Sequence, residues 1–148
     1  MKDAKLDTSL YDRDFYAWIY QQVDLLREGK FTQLDLSNLM EELEDMGKSQ
    51  KQALESNFNV VLMHLLKWKI QPDKRSNSWR STIREHRRRI SKQLKDSPSL
   101  KRLLVDKFVE NYNDAREDAA YETELPIDLF PWECPFSLEQ VLDLDFLP

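Results

Sequence analysis

The chain has only two glycines among 148 residues, whereas average usage predicts about ten. Phosphate-binding loops and dinucleotide-binding fingerprints need clustered glycines, so both kinds of nucleotide site are excluded. Hairpin turns that depend on glycine are scarce for the same reason, which disfavours an antiparallel sheet. The shortage of glycine therefore favours an all-α fold.

Cysteine and long apolar runs are also scarce. Cys134 is the only cysteine, which excludes an intrachain disulfide and a cysteine-based zinc cluster. The longest apolar stretch, residues 60–66, is interrupted by His64 and is far too short to span a membrane. Residues 1–10 lack the apolar core of a signal peptide. We therefore expect a cytoplasmic protein without a membrane partner.

The net charge of −5 conceals an uneven distribution along the chain. Residues 67–102 contain 13 Lys or Arg and three acids, a net charge of +10. The rest of the chain contains nine basic and 24 acidic residues, a net charge of −15. Such asymmetry is typical of a protein that binds an anionic partner. It is equally expected when one part of a fold neutralises another.

Apolar residues recur at helical spacing and predict a helical bundle with four main helices. The first covers about residues 12–28, with Asp12 as its N-cap and Gly29 as a left-handed stop. The third covers about residues 77–95. The fourth covers about residues 97–123, because its Ser-Pro start is typical of a helix N-terminus.

The second helix is predicted to be long, over about residues 34–71. Its apolar stripe keeps its phase across Gly47, which itself lies on the stripe. We therefore predict one spine helix, in which Gly47 allows a bend or a close contact with another helix. The alternative is two helices, the second of them capped by Ser49. Pro72 ends the segment in either case.

A helix of this length has apolar flanks that its neighbours cannot all cover. The first helix can pack only against its first half, and the third helix only against its second half. Exposed apolar stripes commonly mark protein interfaces. We therefore predict that the protein associates with itself as a homo-oligomer or with another protein.

The last part of the chain changes character. Residues 124–136 are rich in proline and aromatic residues, and we expect them to form a strap across the bundle. Ser137 and Gln140 form a capping box that predicts one short C-terminal helix. We expect a single helical domain over residues 1–148, preceded by a tail over residues 1–10.

Several short motifs stand in a fixed order along the chain. They read Leu10-Tyr11-Asp12-x-Asp14-Phe15-x-x-Trp18, Leu39-x-Glu41-Glu42-Leu43-Glu44-x-Met46-Gly47, His64-Leu65-Leu66-Lys67-Trp68, Ser78-Trp79-x-x-Thr82-Ile83, Ser97-Pro98-Ser99-Leu100, Glu122-Thr123-x-Leu125-Pro126 and Pro131-x-x-Cys134-Pro135. Together they cover essentially the whole chain and resemble the bacterial family catalogued as domain of unknown function 29, which is prominent in photosynthetic bacteria. The resemblance implies an all-helical fold. It carries no activity and no catalytic residues.

A metal-dependent or hydrolytic site near His64 is one functional hypothesis. Helical bundles bind metals through Glu and His, and an acidic cluster that includes Glu42 lies on the same predicted helix. These two residues are 22 positions apart, about 33 Å along a helix. Such a site therefore needs carboxylates from another helix or subunit. The alternative is a core histidine, and we assign no catalytic residue, metal ligand or cofactor.

A buried polar pocket is a second hypothesis. A hairpin between the second and third helices brings His64 level with Arg87, and Trp68 and Trp79 would flank them. Arg87 would then need an acidic partner, because an unpaired buried charge is costly. The pocket would hold a small anionic ligand. The alternative is a structural network that fixes the register of the helices.

The basic third helix suggests nucleic-acid binding, with Arg80, Arg84, Arg88 and Lys92 as candidate contacts within residues 74–95. The same hairpin geometry places Glu110 near Arg84 and Asp114 near Arg80 on the fourth helix, which would neutralise much of the charge. No helix-turn-helix or aromatic-basic RNA motif is present. The favoured function is therefore a non-enzymatic protein-interaction module, with nucleic-acid binding and an enzyme site near His64 as alternatives.

Overall fold

A computed structural model describes residues 9–148 of the chain, and these residues form seven α-helices and no strand. The helices are α1 (Leu10–Arg13), α2 (Phe15–Arg27), α3 (Leu36–Ile70), α4 (Asn77–Asp96), α5 (Lys101–Asp106), α6 (Phe108–Thr123) and α7 (Leu138–Leu142). The all-α prediction is confirmed. Within the described range, no helix is both long enough and apolar enough to cross a membrane.

The predicted long helix is present as α3, a single helix of 35 residues. Gly47 lies inside it and helical structure continues on both sides, so the alternative of two helices is wrong. A Cβ atom added at Gly47 would meet no described atom within 4 Å. The predicted close contact with another helix at this glycine is therefore also wrong, because no described neighbour lies close enough to need the space that a side chain would fill.

Contacts along the chain group into two compact units, Met1–Lys48 and Ser49–Pro148. The sequence predicted a single domain without this internal division. That the two units unfold together as one domain remains a prediction. Residues 1–8 of the predicted tail lie outside the described residues. Leu10 already belongs to α1, so the tail is shorter than the predicted residues 1–10.

The N-terminal unit, as described from Ser9 to Lys48, folds α2 back against the start of α3. Asp14, and not Asp12 as predicted, caps α2 by accepting a hydrogen bond from the Ala17 amide at 3.1 Å. The reason is that Asp12 lies inside the one-turn helix α1, which has its own cap at Ser9. Gly29 has a φ of +70° and ends the segment after α2 in the left-handed conformation, as predicted.

Two buried side chains of α2 fix the start of α3. Trp18 donates its indole N–H to the Asp35 carboxylate at 3.0 Å, and Gln22 accepts a hydrogen bond from the Asp35 amide at 2.8 Å. The Asn38 side chain also donates to Asp35. Hydrogen bonds from Asn38 and Trp18 hold the pKa of this carboxyl below its usual value. At the other end of the hairpin, Tyr11 donates to Glu42.

The C-terminal unit, Ser49–Pro148, contains the hydrophobic core. Its buried side chains come from every helix of the unit and from the strap: Leu54, Phe58, Val61, Leu62, Leu65, Leu66, Ile83, Ile90, Leu104, Tyr112, Ala115, Ala119, Phe130, Phe136 and Val141. The periodic apolar stripes of the sequence therefore face this core, which is the physical reason that these segments are helical.

The predicted fourth helix is interrupted. The helix ends at Asp106 and begins again at Phe108, because Lys107 has φ −105° and ψ 11°, outside the helical range. The break accompanies an edge-on contact between Phe108 and Phe58, whose ring centroids are 6.0 Å apart. An uninterrupted helix over residues 97–123 was therefore a wrong prediction.

The strap over residues 124–136 packs as expected. Phe130 is buried, and its carbonyl accepts a hydrogen bond from Arg116 at 3.1 Å. Tyr112 donates its hydroxyl to the Pro131 carbonyl at 2.6 Å. The capping box of Ser137 and Gln140 is formed and begins α7, as predicted.

Candidate functional site

Arg87 is buried, and its guanidinium is used entirely within the C-terminal unit. It donates to the carbonyl oxygens of Val141 at 2.8 Å, Phe146 at 2.8 Å and Gln140 at 3.1 Å. Burial lowers its pKa to about 10, against the opposing charges of Asp143 and Asp145. The expected acidic ion-pair partner is therefore replaced by backbone carbonyls, two of them in the last turn of α7. This geometry favours the structural alternative over an anion site.

His64 makes no hydrogen bond to Arg87 among the described residues. Its Nδ1 lies 2.8 Å from the Val60 carbonyl of its own helix. Burial lowers the pKa of His64, and the nearby charges of Lys67 and His86 act in the same direction. The hydrogen bond described for His64 is therefore made within its own helix, and those of Arg87 are made to the C-terminal segment.

The two tryptophans of the predicted pocket lie beneath cations other than Arg87. Trp68 is buried beneath two guanidinium groups, with Arg75 at 5.2 Å and Arg80 at 5.5 Å from its ring centroid. Trp79 lies beneath the ammonium group of Lys67 at 4.8 Å. The pocket of His64, Arg87, Trp68 and Trp79 stays a prediction, and the contacts described for each of these side chains are made with other residues.

An ion pair between a buried lysine near His64 and a half-exposed glutamate was missed from the sequence. Lys67 is 6% exposed, and its ammonium lies 2.6 Å from the carboxylate of Glu122 on α6. Its position inside the apolar run Leu65–Trp68 was the available signal, because a lysine on a buried face needs a partner. Glu122 is thus the carboxylate from another helix that a site near His64 required, but Lys67 already binds it.

The basic face of α4 carries the four residues predicted for nucleic acid: Arg80, Arg84, Arg88 and Lys92. All four are exposed. Lys92 pairs with Asp96 at 3.2 Å. No described carboxylate lies within ion-pair distance of the other three, so the face keeps most of its positive charge.

The expected neutralisation of α4 by the fourth helix is wrong. Glu110 pairs with Lys107 at 3.2 Å, and Asp114 lines a groove with residues 52–60 of α3. The prediction assumed one continuous helix from residue 97, whereas that helix is interrupted at Lys107.

The sequence did not single out the apolar groove of the N-terminal unit. The groove has a volume of about 380 Å³. Its lining residues are apolar apart from a glutamine and a glutamate, and they come from both helices: Phe15, Trp18, Ile19, Gln22, Val23 and Leu26 of α2, and Leu39, Glu42, Leu43 and Met46 of α3. The surface is therefore suited to an apolar ligand and offers little for polar chemistry.

Exposed apolar side chains concentrate around this groove. Of the 16 large hydrophobic residues that are exposed within residues 9–148, nine lie in the N-terminal unit: Phe15, Tyr16, Tyr20, Leu26, Phe31, Leu36, Met40, Leu43 and Met46. That unit contains less than a third of the described residues and buries only Trp18 and Gln22. Four of the nine, Phe15, Leu26, Leu43 and Met46, also line the groove, and exposed apolar patches mark interaction sites.

Other chemistry finds little support in the described part of the chain. No group of three or more His, Cys, Asp or Glu side chains is placed there to hold a metal ion. Cys134 is partly buried in the strap, and burial raises the pKa of its thiol to about 11. The reactive thiolate is therefore disfavoured at neutral pH.

The family model described as domain of unknown function DUF29 matches residues 10–147 of the chain. Comparison with curated proteins and with solved structures gives no match.

Proposed function

We propose that this chain, which belongs to the domain of unknown function DUF29 family, is a non-enzymatic interaction module that binds an amphipathic helix of another protein. The observation that carries the proposal is the apolar groove between α2 and α3. Insertion of a helix with one apolar face into such a groove is a common mode of recognition. The bound helix would complete a small bundle that the hairpin alone leaves open.

The side chains of the groove have the spacing that a helical partner requires. Leu39, Leu43 and Met46 stand at positions i, i+4 and i+7 of α3, so they form one stripe along the helix. Phe15, Ile19 and Val23 repeat every four residues on α2. Methionine adapts to differently shaped partners because its unbranched side chain is flexible. The two facing apolar stripes therefore form an elongated surface on which the apolar face of a partner helix can pack.

Charge around the groove favours a partner helix with basic flanks. Residues 9–48 contain nine acids and four bases, a net charge of −5. The acidic run Glu41–Asp45, interrupted only by Leu43, is on the same helix as the groove stripe. Opposite charges across an interface speed association and exclude wrong partners. A second copy of this chain would bring the same acidic hairpin, so charge weighs against the homo-oligomer as the main occupant.

Binding of a synthetic peptide tests this proposal. The probe places leucines along one helix face and lysines elsewhere, and its charge-reversed match carries glutamates in place of the lysines. Because apolar burial and opposite charge act together, we expect the lysine peptide to bind the full chain more tightly. Leu43→Asp should weaken that binding by at least about tenfold. Isothermal titration calorimetry measures both affinities.

The matched control is Val109→Asp, which places the same charge at an exposed apolar residue of α6. It should leave peptide binding unchanged. Equal binding by Leu43→Asp and the unsubstituted chain would contradict the proposal. Sedimentation of the chain alone tests the second occupant: a stable dimer that Leu43→Asp dissociates would assign the groove to self-association instead.

Nucleic-acid binding is a second candidate because the basic face of α4 is not neutralised by α6 as expected. The contacts would be electrostatic and sensitive to salt. A mobility shift at low salt that is abolished by Arg84→Glu with Arg88→Glu would support this function. No shift at low salt would exclude it.

A further inference from the structure

The chain has two histidines, His64 and His86, and they lie on neighbouring helices of the C-terminal unit. His64 belongs to α3 and His86 to α4, and both side chains are half-buried. Neither proposed function uses them. Imidazole is the side chain that most commonly binds transition metals in proteins, so the position of one ring relative to the other decides what the pair can bind.

Two side-chain contacts fix the register of α3 against α4. The amide of Asn57 donates a hydrogen bond to Gln93 at 3.2 Å. Further along α3, the ammonium of Lys67 lies 4.8 Å from the ring centroid of Trp79. Because residue numbers rise on α3 as they fall on α4, the two helices run antiparallel. Both histidines lie between these two contacts.

The spacing of the histidines brings their two rings onto the same seam. His64 follows Asn57 by seven residues, and His86 precedes Gln93 by seven residues. Seven residues are two helical turns, about 10.5 Å along the axis, and return a side chain to nearly the same face. The faces that bring Asn57 against Gln93 therefore also bring His64 against His86. In agreement, the charge of His86 adds to burial in lowering the pKa of His64.

Both rings are oriented through the same nitrogen. Nδ1 of His64 lies 2.8 Å from the Val60 carbonyl, and Nδ1 of His86 lies 2.9 Å from the Thr82 carbonyl. Because a carbonyl can only accept, Nδ1 carries the hydrogen and Nε2 keeps the lone pair of the neutral ring. Within residues 9–148, neither Nε2 atom has a hydrogen-bond partner. Metal-binding histidines have this arrangement, since the Nδ1–H bond fixes the tautomer and orients the ligand nitrogen.

The charges next to His64 are compatible with a bound cation. Besides His86, the charged groups that act on its pKa are Lys67 and Glu122. These two form an ion pair at 2.6 Å, so the carboxylate compensates the ammonium. Burial, the largest cause, lowers the pKa of His64. The ring is therefore neutral at pH 7 and has a free lone pair for a metal ion.

The charges next to His86 on α4 are also accounted for. Arg89, one turn further along the helix, pairs with Glu85 at 2.9 Å. Arg84 and Arg88 are each two residues from His86 and are exposed. Residues two positions apart do not share a helix face, so these two guanidinium groups point away from the seam between α3 and α4.

We propose that His64 and His86 together bind one divalent transition-metal ion of the group that imidazole prefers, which includes Zn²⁺, Ni²⁺ and Cu²⁺. Each ring contributes its Nε2 atom. The described residues place no group of three or more His, Cys, Asp or Glu side chains around an ion, so water completes the coordination. The bound ion links α3 to α4 and stabilises the folded chain. This site is separate from the helix-binding groove and from the exposed basic face of α4.

Calorimetric titration of Zn²⁺ into the full chain, without a histidine tag, tests the site. At about pH 7.5 it should give saturable binding of one ion per chain. His64→Gln and His86→Gln should each weaken binding by at least about tenfold, because a single imidazole holds an ion poorly. The double variant should lose little more. Cys134→Ser removes the thiol of the chain and should leave binding unchanged, and Mg²⁺, which prefers oxygen ligands, should not compete.

The unsubstituted chain provides a second measurement that does not depend on the folding of a variant. Zn²⁺ at about a hundredfold its dissociation constant should raise the melting temperature by at least about 5 °C at pH 7.5. This increase should shrink as the pH falls below about 6.5, because a protonated imidazole has no lone pair for a metal. Binding that survives either single variant, two ions per chain, or no saturable binding would overturn the shared site.

Discussion

At the scale of single residues, Arg87 has the largest structural role of the predicted site residues. Its three hydrogen bonds hold the last turn of α7 and the chain beyond it against α4. The sequence could show that Arg87 lies on the inner face of its helix, between Ile83 and Ile90. It could not show the hydrogen-bond partners of Arg87, because every residue has a backbone carbonyl whatever its side chain.

Replacing Arg87 with methionine should lower the free energy of unfolding by about 3 kcal/mol. The apolar stem is kept, but three buried carbonyls lose a charged donor. Urea unfolding followed by circular dichroism measures the change. Arg84→Met, at an exposed position of the same helix, should change stability by no more than about 0.5 kcal/mol. Equal effects of the two variants would show that the three hydrogen bonds of Arg87 do not stabilise the fold.

Tyr112 should make stability depend on pH in the alkaline range. Burial raises its pKa to about 12 from the ordinary value of 10.0. The unfolded chain therefore releases this proton at lower pH than the folded chain. The contribution of Tyr112 to stability is fully present below about pH 10 and is lost as the pH rises towards 12. Chemical unfolding across this range should show a shallower fall for Tyr112→Phe. An unchanged slope in that variant would assign the fall to other groups.

At the scale of helices, the apolar periodicity of the sequence was sufficient to predict most elements. It predicted the long α3 because the stripe kept its phase across Gly47, and it predicted the start of α7 from the Ser137 capping box. It could not predict the break at Lys107, which has neither proline nor glycine and leaves the apolar pattern intact. The neighbours of Glu110 and Asp114 were also not predicted: Glu110 pairs with Lys107, and Asp114 lines a groove with α3.

The two glycines should respond in opposite ways to alanine. Gly47→Ala should stabilise the chain by about 0.5–1 kcal/mol, because glycine disfavours a helix interior and the new Cβ meets no neighbour. Gly29→Ala should destabilise it by about 1 kcal/mol, because its φ of +70° is strained for a residue with a Cβ. Thermal unfolding measures both, and the same sign for both variants would contradict these assignments.

At the scale of the whole molecule, the two units differ in what they bury. The C-terminal unit has a continuous core, whereas residues 9–48 of the N-terminal unit bury two side chains and expose nine large hydrophobic ones. The sequence predicted exposed apolar flanks along the long helix. It could not assign them to one half, because that requires knowing which stripes the strap and α6 cover.

The chain should unfold in one calorimetric transition, in line with the single domain predicted over residues 1–148. A helical hairpin of some 40 residues with so little burial is too small to have a cooperative transition of its own. Scanning calorimetry of the full chain measures this, and the calorimetric and van't Hoff enthalpies should agree. Two resolved peaks would instead make the units separate domains.

The hydrogen bond from Arg87 to Phe146 joins residues 59 positions apart. This separation constrains when the chain can fold during synthesis. A ribosome delivers α4 well before the segment whose carbonyls receive the guanidinium. Until residues 140–146 have emerged, Arg87 lacks the three carbonyl acceptors of the folded chain. Its charge remains in water, and that face of α4 cannot be buried. The hydrogen bonds of Arg87 therefore make the C-terminal unit fold late, after nearly all of its sequence is available.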